Sequence, residues 1–97
     1  MRGIVYCIKC LNTNNIYIGS TIQLLAVRKS KHIYDSKKPS RAKPIHKYII
    51  NNGNWSNFVF EKLKEQEYDN IQQLRDEEYE IIQQYKNDTN YQLLNAR

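Results

Sequence analysis

The chain lacks any apolar run approaching the roughly 20 residues of a membrane-spanning helix, and its first residues carry no signal-peptide pattern. An intracellular protein with no membrane partner is therefore expected. Cysteine is nearly absent. Cys7 and Cys10 lie close together in a chain without secretory marks, so free thiols are expected rather than a disulfide. Their C-x-x-C spacing is half a zinc site, but a structural zinc needs four ligands. The two histidines, His32 and His46, lack the close spacing that would complete one, and Cys7 reads as a small core residue. There is also no internal repeat, linker or low-complexity tract. Residues 1–97 are expected to form a single domain, since separate cores need roughly 50 residues each.

Acidic residues are missing from the first half. Residues 1–48 hold ten Lys/Arg against Asp35 alone, a surplus of +9, whereas residues 49–97 hold five against nine acids, giving −4. Such one-sided charge is what a phosphate-facing surface needs. A solvated basic face with no partner has the same composition.

What is present alternates between strand-like and helix-like runs. Residues 3–9 and 15–19 are predicted to be strands, close enough to pair as a hairpin. The run "IVYCI" is apolar at both parities, which predicts cover on both faces. Ser20 or Thr21 is predicted to cap a helix running to about Tyr34. Pro44 suits the first turn of a short second helix ending near Asn51, with Gly53 as its stop. "NFVFEKL" spaces Phe58, Phe60 and Leu63 loosely as a third strand, and Asp69 or Asn70 caps the longest helix, about 70–86. "YQLL" is expected to pack back on the body. The order β-β-α-α-β-α predicts an α/β (α+β) fold, a three-stranded antiparallel sheet flanked by helices.

Several side chains are placed for chemistry. With an even number of loop residues, Tyr6, Tyr17 and Gly19 share one face of the hairpin; an odd loop separates them. Two strand tyrosines also serve as a packing pair. Arg28 and His32 lie one turn apart on one helix face, able to hold a phosphate and move a proton if they stand beside the tyrosines. The last helix has its apolar stripe at 71, 74, 81, 82 and 85, and Glu78 falls within it. Desolvating a carboxylate costs several kcal/mol, so Glu78 is expected to meet an arginine, a lysine or a metal ion. Glu77 lies one step off the stripe and is expected to be solvated.

Four ordered segments carry a resemblance. "GIVYCIKCLNTNNIYIGST" pairs a Gly-Ile-Val-Tyr run with a Tyr-Ile-Gly run. "RKSKH" follows, then "IHKYIINNGNWSNFVFEKL", then "LRDEEYEIIQQY". Together they resemble the GIY-YIG nucleases over nearly the whole chain. The resemblance implies hydrolysis of DNA phosphodiester bonds, with water attacking phosphorus and a 3′-hydroxyl leaving, in a DNA repair or recombination setting. It aligns Tyr6, Tyr17, Arg28, His32 and Glu78 with the family's catalytic positions. Glu78 would be the ligand of one Mg2+, with Mn2+ a plausible substitute. Tyr6 would be the general base, Tyr17 would orient the water or phosphate, and His32 would relay a proton or support Tyr6. Gly19, Ser20, Lys29, Lys31, Lys37, Lys38, Arg41, Lys43 and Lys47 would face double-stranded or branched DNA. Specificity would come from DNA shape, a homodimer or a protein partner. Two positions depart from the family pattern: Ser40 stands where some members carry a second histidine, and Gln92 replaces an asparagine. Those departures motivate a rival reading, a weakened module that binds nucleic acid without cutting it. A small basic structural protein is the other rival.

Overall fold

Strand β1 (Arg2–Cys10) is apolar at nearly every position because both its faces are covered. In the computed structural model, which describes residues 1–95, β1 pairs antiparallel with β2 (Asn15–Thr21) on one side and with β3 (Phe58–Glu67) on the other. The hairpin loop, residues 11–14, has an even count. Tyr6 accordingly stands opposite Gly19 and Ile8 opposite Tyr17, so both tyrosines face the same way.

On that face, Ile4, Tyr6, Ile8 and Cys10 pack with Ile45, Ile49 and Phe58. The cover comes from helices α1 (Leu25–Ser36) and α2 (Pro44–Asn51) and from the single turn Trp55–Asn57. Pro44 opens α2, and Gly53 follows its end at φ +98°, a conformation in which a side chain is strained. On the opposite face, Val5, Cys7, Ile16 and Ile18 meet Leu74 and Ile81 of α3 (Ile71–Lys86). Asn70 caps α3 by accepting from the Gln73 amide. Ile71 is exposed, so the buried stripe of α3 starts at Leu74. Both cysteines are free and buried.

The sheet has four strands, not three. Its order is β3-β1-β2-β4, the fourth being β4 (Gln92–Leu93), parallel to β2. Two residues are too short to show a strand period. The Gln92 and Leu94 amides donate to the Asn14 and Ile16 carbonyls, and the Asn95 side chain then bonds both backbone groups of Ile18.

Helix α1 starts at Leu25, later than the hydroxyl signals suggest. Ser20 and Thr21 stay in β2, paired with Val5 and Ile4, and the Thr21 hydroxyl accepts from the Gln23 amide. Leu24 stands at the helix start without a side-chain cap.

The pairing of β1 with β3 shifts register once. Val5 faces Lys64 while Tyr6 faces Lys62, which leaves Leu63 as an extra residue. Phe58 and Phe60 pack beneath α1 and α2, while Leu63, at the opposite parity, packs on the α3 side. The shift brings Lys64 to the α3 side as well. Among the described residues no helix is long and apolar enough to cross a membrane.

Candidate active site

Tyr6 enters the α1 face with no exposed surface, and its ring lies against Gly19. A Cβ at position 19 would stand 2.6 Å from the phenolic oxygen and 2.7 Å from Cζ, so only glycine leaves the ring its place. The i, i+4 spacing puts Arg28 and His32 over that ring together. Arg28 Nε donates to Tyr6 Oη at 3.3 Å, and a 2.7 Å hydrogen bond joins Tyr6 Oη to His32 Nε2. His32 Nδ1 lies 2.9 Å from Nε2 of His46. His46 occupies the first turn of α2, where its Nδ1 accepts from the Lys43 backbone amide at 3.1 Å. The two imidazoles are 2 % and 1 % exposed. Trp55 stands beside both rings, stacked on Phe60 at 5.8 Å and donating to Ser36 Oγ at 3.0 Å.

Burial governs the protonation states. It pushes Tyr6 up to about 12, against the opposing pull of the Arg28 guanidinium. In the chain by itself burial outweighs Arg28, because loss of water disfavours the phenolate more than one cation favours it. Tyr17, half-buried with its ring 6.2 Å from His32, is also raised, by burial and then by the Glu78 carboxylate. His32 falls from 6.5 to about 3 through burial and the positive charge of Arg28. His46 is lowered too, chiefly by burial, with Asp35 acting in the opposite sense. Both rings are neutral at physiological pH.

Glu78 approaches from α3. Ser20 Oγ donates to its carboxylate, and its charge reaches both phenols, raising Tyr6 and Tyr17. Among the described residues, no lysine or arginine lies within ion-pair distance of it. Its neighbour behaves differently from expectation. Glu77 is 18 % exposed and bonded to Lys64 at 2.7 Å. The bulge sends Lys64 to the α3 side, where it neutralises Glu77. A half-buried carboxylate such as Glu78 suits a divalent ion that keeps most of its waters and takes one or two carboxylates. Among the described residues no group of three or more His, Cys, Asp or Glu forms a fuller cage.

The fold thus joins Tyr6, Arg28 and His32 by hydrogen bonds, sets Tyr17 beside His32, and brings Glu78 to Ser20. Gly19 and Ser20 lie at this centre rather than on an open binding surface. Lys29, Lys31, Lys37, Lys38, Arg41, Lys43 and Lys47 are exposed along α1, the loop after it and the start of α2. Lys31 and Arg41 are partly occupied, at 3.5 and 3.9 Å from Asp35. His46 is the residue that sequence reasoning overlooked. Its signal was the third position of a helix whose first is Pro44, from which a side chain reaches back to the capping residue's amide.

Residues 2–92 match the family model described as the GIY-YIG catalytic domain. The chain is also similar to a solved structure, the catalytic domain of the intron endonuclease I-TevI in a mutant form. The two share 22 % identity, with a TM-score of 0.73, over 94 % of this chain and 91 % of that one. At that identity the likeness is one of fold. Comparison with curated proteins finds no match.

Proposed function

Because the chain belongs to the GIY-YIG family, we propose that it is an endonuclease that hydrolyses DNA phosphodiester bonds with one divalent ion held at Glu78. The observation that carries this reading is the asymmetry of two adjacent acids beside the phenol centre. Glu77 is neutralised by Lys64, while Glu78, whose charge reaches both tyrosines, has no cationic partner among the described residues.

Each side chain then has a task. Arg28 presents a fork of donors that grips a non-bridging phosphate oxygen while one nitrogen touches Tyr6. Once its own proton has passed to solvent, the Tyr6 phenolate takes a proton from water as the water oxygen bonds to phosphorus. The phosphorus–3′-oxygen bond breaks in the same step, and the 3′-oxygen takes its proton from solvent. Tyr17 orients the water or the phosphate, and His32 steadies the phenolic oxygen. A bound Mg2+ or Mn2+ supplies positive charge near the phosphate and the leaving oxygen. Held at about 12 in the chain alone, Tyr6 needs that added charge to ionise near neutral pH. The exposed lysines of α1 and α2 lie along the DNA backbone, contacts that position a duplex without reading its sequence. Branched DNA, a second copy or a protein partner remains the proposed source of specificity.

The test is plasmid nicking with Mg2+ or Mn2+. Glu78→Gln is expected to abolish cleavage and Glu77→Gln to retain it. Equal loss in both variants, or nicking that survives chelation, would overturn the assignment. The phenol's raised pKa favours a second reading, a module that binds DNA without cutting it. Metal-independent DNA binding with no nicking at any pH is the outcome that selects it.

A further inference from the structure

The chain of hydrogen bonds from Lys43 to Tyr6 has a direction. A backbone amide is a donor only, so His46 Nδ1, which receives the Lys43 N–H at 3.1 Å, must be the unprotonated nitrogen. In a neutral ring the proton then sits on Nε2, which faces His32 Nδ1 at 2.9 Å. His32 Nδ1 is thereby the acceptor, and His32 carries its own proton on Nε2, aimed at Tyr6 Oη at 2.7 Å. Arg28 Nε supplies a second N–H to the same oxygen. The reverse arrangement, with Tyr6 donating inward to His32, would turn His46 Nδ1–H against the Lys43 N–H. Two donors would then meet in a site where each histidine is 2 % exposed or less, and a buried unpaired donor costs about 1–3 kcal/mol.

We infer that His46 is a positioning residue: anchored by the Lys43 amide, it fixes both histidines as Nε2–H tautomers. His32 then donates to Tyr6, and the phenol's own proton turns away from the histidines toward the reacting water. Two N–H donors already occupy the oxygen's lone pairs, so its hydrogen has only the outward direction left. The same two donors stand ready to stabilise the phenolate once that proton leaves. His32 accordingly acts as a donor and not as the group that removes the tyrosine proton. Burial, with Arg28 and Lys43 adding to it, keeps both rings neutral against the opposing charge of Asp35, which is the condition for a fixed tautomer.

The kinetic part of this inference rests on the proposed nuclease reading; the tautomer part stands without it. Nitrogen-15 NMR of the unaltered protein reads the tautomers directly. Both histidines are expected to show a protonated Nε2 and a bare Nδ1. A protonated Nδ1 on His32 overturns the inference. Two variants of similar shape provide the kinetic test. In His46→Gln the amide oxygen can still accept from Lys43 and the NH2 can still donate to His32, as glutamine does at this helix position elsewhere. His46→Met fills the space and offers neither. Gln is expected to nick nearly as well as the parent, and Met to be slower by about 10- to 100-fold, the scale for losing an outer-shell partner. In folded Met protein, the His32 signals are expected to show mixed tautomers. Equal nicking by Gln and Met overturns the inference. Nε2–H signals on both rings in a protein that never nicks uphold the tautomer assignment and overturn the nuclease reading instead.

Discussion

The two faces of one strand are put to opposite uses. On the α3 face, Val5 and Cys7 of β1 meet Ile16, Ile18, Leu74 and Ile81, an interior of apolar side chains. On the α1/α2 face, Ile4 and Ile8 flank Tyr6, whose oxygen opens a line of hydrogen bonds through His32 and His46 to a backbone amide. Burial on the first face is direct hydrophobic gain, about 1.5–3 kcal/mol for a residue such as Leu74. Burial on the second removes water from ionisable groups and shifts their protonation states. Alternation along β1 thus puts its phenol on one side and an apolar row on the other, within a strand of nine residues.

That separation is open to attack from either side. The largest effect is expected from Tyr6→Phe, which keeps the ring and removes the oxygen. Nicking should fall by about 10²- to 10⁴-fold, while urea denaturation should show a loss of about 1–3 kcal/mol from the two donors left unpaired. If nicking persists at the parent rate, the chemical role of that face is lost. Next is Leu74→Ala, expected to lower stability by about 2–5 kcal/mol with turnover per folded molecule unchanged. A selective fall in turnover would mean that the faces are coupled. The smallest effect concerns acid. His32 is held at about 3 in the fold against 6.5 ordinarily, so between those values the unfolded chain binds its proton more readily. The contribution is complete above pH 6.5 and declines as pH falls toward 3; His46, shifted the same way, adds to it. Urea midpoints across this range should decline less steeply in His32→Gln, whereas Leu74→Ala should lower the curve without changing its slope.

Much of this arrangement was legible from local pattern. The parity of the hairpin placed Tyr6, Tyr17 and Gly19 on one face as soon as the loop was even, and the i, i+4 rule paired Arg28 with His32. Glu78 stood out because a carboxylate interrupted an apolar stripe. What escaped depended on distant partners. The start of α1 was misread because Ser20 and Thr21 are good capping residues whose hydroxyls are engaged elsewhere, by Glu78 and by the Gln23 amide. The strand at Gln92–Leu93 was too short to have a period. His46 was weighed only as a zinc ligand, since its contact with His32 exists only once α1 and α2 lie side by side. Glu77 was expected in solvent because Lys64 reaches it only through the register shift in β3.

That shift has a consequence for the chain as a text. One supernumerary residue, Leu63, decides to which side of the sheet the lysine after it is delivered, and so whether Glu77 meets its cation. Were the strand to run on without the shift, Leu63 would stand opposite Val5 and Lys64 opposite Ile4, on the α1 side. Every letter of the site would be kept and only its punctuation changed, yet the lysine would be spent on the other side of the sheet.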